Sequence, residues 1–411
     1  MNRNAILSHI TQFECAGIRA VFSLDEFQTL VARAREKHTL AFTPERTQLV
    51  ATFANALLRD PLCKKSTPLQ VFAFWTRKSA IEAMRNSFDK SLPHRTLAVG
   101  RGVALHMPPA NVDTIFLYSW VIAFLGGNVN VTRLPSALGA DMERALDILL
   151  QLVRDGGFAD AFVHYSINDE INAALSRLAD LRFVWGGDEK VRSFERLPLR
   201  IDGRALVFPD RYSYSVMDGA TLGLIDGADM GSLAKQLFND LFVFSQMACS
   251  SPHILYVVGD AEQHRAHVQR LLHAVDALAN AREILIDPAH GVEKFTSAVQ
   301  FAAQGEVRRV ERYSSETMAV ELSGAATPSV GGGFVAISYI DTLDDLASHV
   351  ETRDQTLSYF GFARERMEDF ARLCATRGLC RIVPIGQSLS FDAVWDGYDL
   401  LRDSVRLIRI M

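Results

Sequence analysis

The sequence predicts an α/β protein built from two doubly wound parallel sheets. Between residues 96 and 188, short apolar segments that suit strands alternate with helical patterns, and a turn follows most of these segments. A second region with the same alternation begins near Asp218. The length of 411 residues exceeds what one ordinary core accommodates, so we expect two or three domains.

The first 95 residues are predicted to be mainly helical and to pack on the domain that follows. Ser23 and Glu26 form a capping pattern at the start of one helix. Thr43 and Pro44 open another helix, with proline at the first helical position. A third helix is predicted over residues 69–84.

Residues 96–217 are predicted to form a Rossmann-like dinucleotide-binding domain. The predicted strands are 98–107, 128–133, 162–165 and 181–185, and the helices are 114–124, 141–152 and 170–177. In such a sheet, nucleotides bind just outside the carboxyl ends of the strands. Pro108 and Pro109 follow the first of these strands, and Gly186 and Gly187 follow the last, so we expect them beside a cofactor.

Residues 218–385 are predicted to form the second domain, with strands near 254–258 and 335–337 and a helix over 263–277. Residues 302–333 show only weak periodicity. The glycine-rich stretch 327–333 lacks the Lys-Ser/Thr pair of a phosphate loop, which favours a flexible turn. In the C-terminal segment 386–411, residues 404–410 alternate as an edge strand does.

Composition excludes several classes of protein. A net charge of −5 without runs of Lys and Arg argues against nucleic-acid binding. No uncharged stretch is long enough to span a bilayer, and the amino terminus has no apolar signal core. The five cysteines show no metal-ligand spacing, so we expect no metal site. Free thiols suit a reducing cytoplasm, the expected location.

Cys249 is the residue that points most directly at chemistry. It lies among small residues, between a helical pattern and the predicted strand 254–258, where Pro252 ends any helix. Such a junction suits a nucleophile, although a lone cysteine is more often a small buried hydrophobe. His253 is close enough in sequence to suggest a Cys-His dyad, but a structural or surface role is favoured.

Six segments, taken in order, carry a resemblance to a known family: 74–79 (FWTRKS), 106–112 (HMPPANV), 127–133 (GNVNVTR), 248–252 (ACSSP), 381–386 (RIVPIG) and 395–401 (WDGYDLL). In these segments the chain resembles the LuxC family of acyl-CoA reductases, within the aldehyde dehydrogenase superfamily. The resemblance implies an aldehyde dehydrogenase-like fold with two doubly wound α/β domains and a small oligomerisation element, formed by the C-terminal strand. It also implies a homo-oligomer, a dimer or a tetramer.

The resemblance also implies roles for particular residues. Cys249 matches the family's nucleophile. Asn111 matches the amide of the oxyanion hole, although an asparagine after two prolines also shapes a turn. Arg133 takes the place of a lysine that binds the cofactor ribose, and Ser136 stands where many relatives have a glutamate. A basic residue at 133 without an acidic residue at 136 favours NADPH over NADH. The alternative is that Arg133 is a solvated surface residue.

The segment Trp185-Gly186-Gly187 matches the turn beneath the cofactor pyrophosphate, where the next helix presents its N-terminus to the phosphates. Two departures from the superfamily are visible. The stretch that corresponds to the glutamate base of hydrolytic relatives is Asp210 to Met217, and no carboxylate stands at the place of that glutamate, so activation of water is disfavoured. The segment that holds the nicotinamide ribose has no clear counterpart, and no residue is assigned to it.

The predicted reaction is the NADPH-dependent reduction of an acyl thioester, expected to be fatty acyl-CoA, through an acyl-Cys249 intermediate. The acyl donor is CoA or an acyl-carrying partner protein. The alternatives are a CoA-acylating aldehyde dehydrogenase that works oxidatively, a cysteine acyltransferase or thioesterase that needs no nucleotide, and a non-catalytic scaffold.

Overall fold

A computed structural model describes residues 9–14, 17–109, 112, 114–282, 288–324 and 326–411. The chain divides into two compact units. Met1–Pro209 together with Phe391–Met411 form unit 1, and Asp210–Ser390 form unit 2.

The part of unit 1 before residue 210 contains eight strands and eight helices among the described residues. The strands are β1 (His9–Phe13), β2 (Arg19–Ser23), β3 (Thr96–Gly100), β4 (Val103–Met107), β5 (Val129–Arg133), β6 (Ala161–His164), β7 (Leu181–Trp185) and β8 (Arg204–Phe208). The helices are α1 (Leu24–Ala34), α2 (Pro44–Arg59), α3 (Thr67–Trp75), α4 (Lys78–Ser91), α5 (Ile115–Leu125), α6 (Ala140–Asp155), α7 (Asp169–Leu178) and α8 (Asp188–Glu195).

Unit 2 contains β9 (Tyr212–Asp218), α9 (Gly219–Leu224), α10 (Gly227–Phe242), β10 (Ile254–Val258), α11 (Ala261–Ala281), α12 (Pro288–Ala303), β11 (Val307–Arg312), β12 (Met318–Leu322), β13 (Phe334–Ile340), α13 (Leu343–Ala347), β14 (Asp354–Phe360), α14 (Arg364–Leu373) and β15 (Arg381–Pro384). The closing segment of unit 1 contains β16 (Val394–Trp395), β17 (Tyr398–Asp399), α15 (Leu400–Asp403) and β18 (Val405–Arg409).

Unit 1 is built on a seven-stranded sheet in the order β2-β1-β6-β5-β4-β7-β8. The five strands from β6 to β8 are parallel, whereas β1 and β2 add an antiparallel edge. From β4, the next two strands in the chain, β5 and β6, lie on one side of it. Strands β7 and β8 lie on its other side, so the direction in which strands are added reverses between β4 and β7. This is the topological switch point, where ligands of doubly wound sheets bind.

Helix α5 forms the centre of unit 1. Ten of its eleven residues are buried, because the sequence from Ile115 to Leu125 is apolar all round. Trp120 stacks on Phe124 with ring centroids 4.7 Å apart. A helix of this composition has no face for water and must lie inside a unit.

Unit 2 is built on a second seven-stranded sheet in the order β11-β12-β13-β10-β9-β14-β15. All of its neighbouring strands are parallel except β11, which runs antiparallel to β12 at the edge. Apolar clusters cover its two faces, one around Val216 and Phe334 and the other around Met217 and Leu237. Both predicted doubly wound sheets are therefore present.

Several predicted boundaries differ from the structure. Predicted strand 98–107 is two strands, because the chain turns at Gly102, where φ is +136° and a side chain would collide with the Asp180 carboxylate. Its first half, β3, pairs with β18 in a separate two-stranded sheet. Predicted helix 69–84 is divided into α3 and α4, because Arg77 is extended, with φ −62° and ψ 156°. Strands β1 and β2 were not predicted.

The division between the units also lies elsewhere than the predicted domain boundaries after residues 217 and 385. Strand β9 pairs with β10 and β14, so the residues from Asp210 onward belong to unit 2. At the other end, the Arg381 guanidinium donates to the carbonyls of Ser388 and Ser390 at 2.9 and 3.1 Å, which keeps these residues with unit 2.

Among the described residues, no helix combines the length and the apolar character that a membrane span requires. The same residues contain no cluster of His, Cys, Asp and Glu that could hold a metal ion.

Candidate active site

Cys249 lies in a turn of unit 2 immediately before β10. Its side chain is half-buried, and its sulfur is not part of a disulfide. The Ser213 hydroxyl donates to the Cys249 carbonyl at 2.7 Å, which ties this turn to β9. Cys249 therefore lies between a helical segment and a strand, as predicted, and the residue is partly exposed.

The chain leading to Cys249 has an unusual backbone. Phe244, Ser245 and Gln246 have φ values of 57°, 51° and 62°, so three consecutive residues that are not glycine adopt the left-handed conformation. Each such residue costs about 1–3 kcal/mol and persists only where its surroundings hold it. This strained turn directs the chain from the end of α10 toward Cys249.

The side chain of Gln246 is what holds the strained turn. It is fully buried, and its Nε2 donates to the carbonyls of Pro252 at 2.8 Å and Phe334 at 2.9 Å. Its Oε1 accepts from the Gly333 amide at 3.0 Å. The residues on both sides of Cys249 are thereby tied to the start of β13. Sequence reasoning did not single out Gln246, because a lone glutamine carries no motif.

His253, which lies close to Cys249 in sequence, is held within unit 2 by contacts of its ring face and its Nδ1. Its ring stacks on Tyr212 with centroids 5.4 Å apart, and Nδ1 lies 3.3 Å from the Val330 carbonyl. A carbonyl only accepts, so Nδ1 carries the proton of the neutral ring. Burial lowers the pKa of His253, which keeps the ring neutral. These contacts give His253 a structural role.

The stretch where relatives carry a glutamate base forms β9, the strand between β10 and β14. Ser215 and Ser358 share a hydrogen bond of 2.6 Å there, and the Tyr214 hydroxyl donates to Asp354 at 3.1 Å. The carboxylate of Asp218, at the end of the strand, accepts from the Thr221 amide at 3.0 Å and caps α9. The residues along β9 before Asp218 thus offer hydroxyls and apolar groups, and no carboxylate base.

In unit 1, the residues predicted to lie beside the cofactor gather at the carboxyl ends of β4, β5 and β7. Arg133 ends β5, beside Met107 at the end of β4, because His106 pairs with Thr132. Pro108 is buried and Pro109 is half-buried, and both follow β4. Ser136 lies on an exposed bend after β5. Asn111 lies outside the described residues, so its predicted role stays a prediction.

Arg133 is not a solvated surface residue. Its Nη2 donates to the Tyr165 carbonyl at 3.2 Å, and its guanidinium lies 5.1 Å from the centre of the Tyr165 ring. Its Nε is buried and has no hydrogen-bond partner among the described residues. A buried donor without an acceptor is costly, so this guanidinium is suited to receive an anion.

Lys190, which sequence reasoning missed, reaches the same edge from α8. Its ammonium donates to the carbonyls of Met107 at 3.2 Å and Pro108 at 2.7 Å. Burial, and secondarily the charge of Arg133, lower the pKa of Lys190 to about 8. A lysine three residues after a Gly-Gly turn gives no sequence signal, because its direction depends on how α8 packs against β4.

The Trp185-Gly186-Gly187 turn lies at the switch point, as predicted, but the indole of Trp185 faces the core. Only 4% of Trp185 is exposed, and its ring stacks on Phe208 with centroids 3.6 Å apart. Any contact between Trp185 and a cofactor would therefore involve its backbone. Gly186 has φ +139°, which a residue with a side chain rarely adopts.

A buried chain of hydrogen bonds connects Trp185 to the interior of unit 1. Trp185 Nε1 donates to the Ser119 hydroxyl at 3.3 Å, and His106 lies between Ser119 at 2.6 Å and Asn130 Oδ1 at 3.0 Å. Asn130 in turn donates to Asp160 at 3.1 Å. Since an amide oxygen only accepts, His106 carries its proton on Nε2 and accepts from Ser119 at Nδ1. Burial lowers the pKa of His106 to about 4, so the ring stays neutral.

Solved structures share the fold of this chain. A methylmalonate-semialdehyde dehydrogenase from Oceanimonas doudoroffii has a TM-score of 0.66 at 13% identity, covering 94% of this chain and 89% of that chain. A glyceraldehyde-3-phosphate dehydrogenase from Methanocaldococcus jannaschii, complexed with NADP, has a TM-score of 0.65 at 11% identity, with 94% of each chain covered. The fold is that of the aldehyde dehydrogenases, as predicted.

A mutant of proline utilization A from Bradyrhizobium japonicum has a TM-score of 0.62 at 18% identity. The alignment covers 94% of this chain but only 45% of that one, so this chain spans less than half of it. A search of curated proteins finds no match. The family model described as acyl-CoA reductase (LuxC) matches residues 78–407, which is most of the chain.

Proposed function

Because the chain belongs to the LuxC family of acyl-CoA reductases, an oxidoreductase family, we propose that it reduces fatty acyl-CoA to the aldehyde with NADPH, through an acyl-Cys249 intermediate. The observation that carries this proposal is the position of Cys249. The half-buried Cys249 follows a turn of left-handed residues that the buried side chain of Gln246 holds in place. Such a thiol is fixed for attack on a carbonyl carbon.

In the first half of the proposed reaction, the Cys249 thiolate forms a bond to the thioester carbonyl carbon and the CoA thiolate leaves. One thioester replaces another, so this exchange is nearly balanced. The oxyanion would be held by the Cys249 amide and the Asn111 side chain, and one such donor typically contributes about 2.7–4 kcal/mol. The lack of a carboxylate along β9 before Asp218 supports reduction over hydrolysis, because no base there would activate water.

In the second half, NADPH, when bound, supplies hydride to the carbonyl carbon of the acyl-enzyme. Collapse of the resulting alkoxide breaks the carbon–sulfur bond, releases the aldehyde and restores the Cys249 thiolate. The residues of unit 1 fit such a cofactor, because Arg133 has a buried Nε without an acceptor. Arg133 would pair with the 2′-phosphate, and Ser136 leaves that place without an acid, which supports NADPH over NADH.

We further propose that the acyl donor is acyl-CoA or an acyl-carrying partner protein, and that the chain forms a homo-oligomer, a dimer or a tetramer, through β18. Strand β18 pairs with β3 on one side only within the described residues. Leu407, Ile408 and Ile410 are 37%, 43% and 53% exposed, which is more apolar surface than a strand in water usually presents.

Mass spectrometry after incubation with acyl-CoAs of graded length tests the proposed function. The wild-type protein should gain the mass of one acyl group, and Cys249→Ala should gain none and form no aldehyde. Cys380→Ala is the matched control, because Cys380 is also a half-buried cysteine of unit 2. An acyl adduct or sustained aldehyde formation in the Cys249→Ala variant would refute the covalent step.

A further inference from the structure

The first turn of α8 is a poor place for the phosphates that the sequence led us to expect there. Gly187 precedes the helix without a side-chain cap, and Asp188 and Glu189 occupy the first turn. Asp188 pairs with Arg192 at 3.2 Å. These carboxylates oppose the half positive charge that a helix N-terminus offers, which weakens this turn as a site for phosphates.

Lys190 offers a cation nearby, because its side chain crosses from α8 to the switch point. The ammonium uses two of its three donors on the carbonyls of Met107 and Pro108, at the end of β4. One donor remains for a ligand. The hydrogen bonds to these two carbonyls fix the position of Nζ, so the positive charge stays at the edge of the sheet.

Gly186 makes this path possible. A Cβ atom at residue 186 would lie 2.9 Å from Cδ of Lys190, closer than carbon atoms approach without a shift. The missing side chain therefore leaves room for the lysine stem. The sequence suggested that Gly186 lets a cofactor approach the backbone closely. In the structure, the side chain that lies close to Gly186 is that of Lys190.

Arg133 supplies a second cation at the same edge. Met107, whose carbonyl accepts from Lys190, lies beside Arg133 in the β4–β5 pair. Among the residues that the structure describes, neither Lys190 nor Arg133 forms an ion pair with a carboxylate. Two partly buried cations without an acid favour an anionic ligand, and NADPH carries two separate anionic groups, its pyrophosphate and its 2′-phosphate.

We propose that Lys190 binds the pyrophosphate of the dinucleotide, while Arg133 is left for the 2′-phosphate. The inference rests on the proposed function, since it assigns a residue to the cofactor of that reaction. It places the pyrophosphate at the switch point between β4 and β7, against the end of β4, and not on the acidic first turn of α8.

The test compares Lys190→Met with Arg192→Met, a charge loss two residues away on the exposed side of the same helix. Dissociation constants for NADPH and NADH are measured by energy transfer from tryptophan, without turnover. Because both nucleotides contain the pyrophosphate, Lys190→Met should weaken both by the same factor, about 10- to 100-fold. Arg133→Met should weaken NADPH more than NADH, and Arg192→Met should change neither by more than about twofold.

The outcomes separate this inference from the proposed function. If the wild-type protein binds neither nucleotide, the proposed function fails. If it binds them and Lys190→Met binds them equally well, or loses affinity for NADPH alone, the assignment of Lys190 to the pyrophosphate is overturned. Should Lys190→Met not fold, Lys190→Gln serves instead, because its amide can still donate to the Pro108 carbonyl while the charge is lost.

Discussion

At the scale of single residues, the site of unit 2 depends on a buried amide and not on a charge. Gln246 bonds to the Pro252 carbonyl, shortly after Cys249, and to the Gly333 amide and the Phe334 carbonyl at the start of β13, so every polar atom of its side chain is in use. Backbone strain disfavours the left-handed turn, whereas the buried hydrogen bonds of Gln246 stabilise it. The position of the Cys249 thiol therefore depends on the hydrogen bonds of Gln246.

Replacing Gln246 with Ala should destabilise the protein and slow the acylation of Cys249. The Gly333 amide and the carbonyls of Pro252 and Phe334 would lose their partner, and we expect a loss of about 2–5 kcal/mol in the free energy of unfolding. Urea unfolding measures this loss. We also expect kcat for acyl-CoA reduction to fall at least about tenfold, with the dissociation constant for NADPH unchanged.

Gln48→Ala is the control, because Gln48 is exposed on α2 and its amide donates to the Thr52 hydroxyl one turn away. It should change the free energy of unfolding by no more than about 0.5 kcal/mol. Gln246→Ala with wild-type stability and wild-type kcat would show that the turn holds itself, and the proposed role of Gln246 would be wrong.

At the scale of elements, sequence patterns located most strands and helices but not their sheet partners. Strand β7 has the bounds that its apolar run predicts, Leu181–Trp185, and α5 differs by one residue at each end. The break at Gly102 was missed because Val103 to Met107 continues an apolar run, and only the Asp180 carboxylate beside Gly102 reveals the turn. Strands β1 and β2 were missed because their burial is low and irregular.

The candidate site shows the same division. Cys249, Arg133 and the Gly186 turn were predicted from the resemblance of their segments to a known family and from their places beside predicted elements. Lys190 and Gln246 were missed, since their roles consist of contacts with residues 82–88 positions away in the chain. Contacts of that kind come from tertiary packing, which a local pattern does not report.

The attachment of α10 to the segment after β15 should make stability depend on pH. Asp240 of α10 accepts from the Gly386 amide at 2.7 Å and from the Ser388 amide at 3.1 Å. Burial outweighs these bonds and raises the pKa of Asp240 from 3.8 to about 6. Because the folded protein holds this proton more tightly, the contribution of Asp240 to stability falls as pH rises from about 4 to 6, by about 3 kcal/mol in total.

Urea unfolding at pH 4.5 and pH 7 checks this pH dependence in the wild-type protein and in Asp240→Asn, which cannot titrate. The variant should lose stability overall, because an amide has one acceptor oxygen where the carboxylate has two. Its stability should nevertheless decline less between the two pH values than that of the wild-type protein. Equal declines in both proteins would mean that Asp240 does not titrate in this range.

At the scale of the whole molecule, each unit contributes one kind of chemistry. Unit 2 offers a thiol on a strained turn, and unit 1 offers two cations at the switch point of its sheet. Both sheets are doubly wound. In unit 2 the candidate nucleophile precedes β10, whereas in unit 1 the candidate cofactor residues lie at the carboxyl ends of β4 and β5. In the proposed reaction, the covalent step and the binding of the cofactor would therefore depend on separate sets of residues.

Assembly is the remaining property at this scale, and β18 provides the test. Lysine at Ile408 and Ile410 should prevent the outer edge of β18 from pairing with another chain, because charged side chains on an edge strand oppose edge-to-edge contact. Sedimentation velocity should show the wild-type protein as a dimer or tetramer and the double variant as a monomer. Ile201→Lys is the control, because Ile201 lies fully exposed on a turn of the same unit and should leave the assembly unchanged. A double variant that sediments like the wild-type protein would remove β18 from the interface.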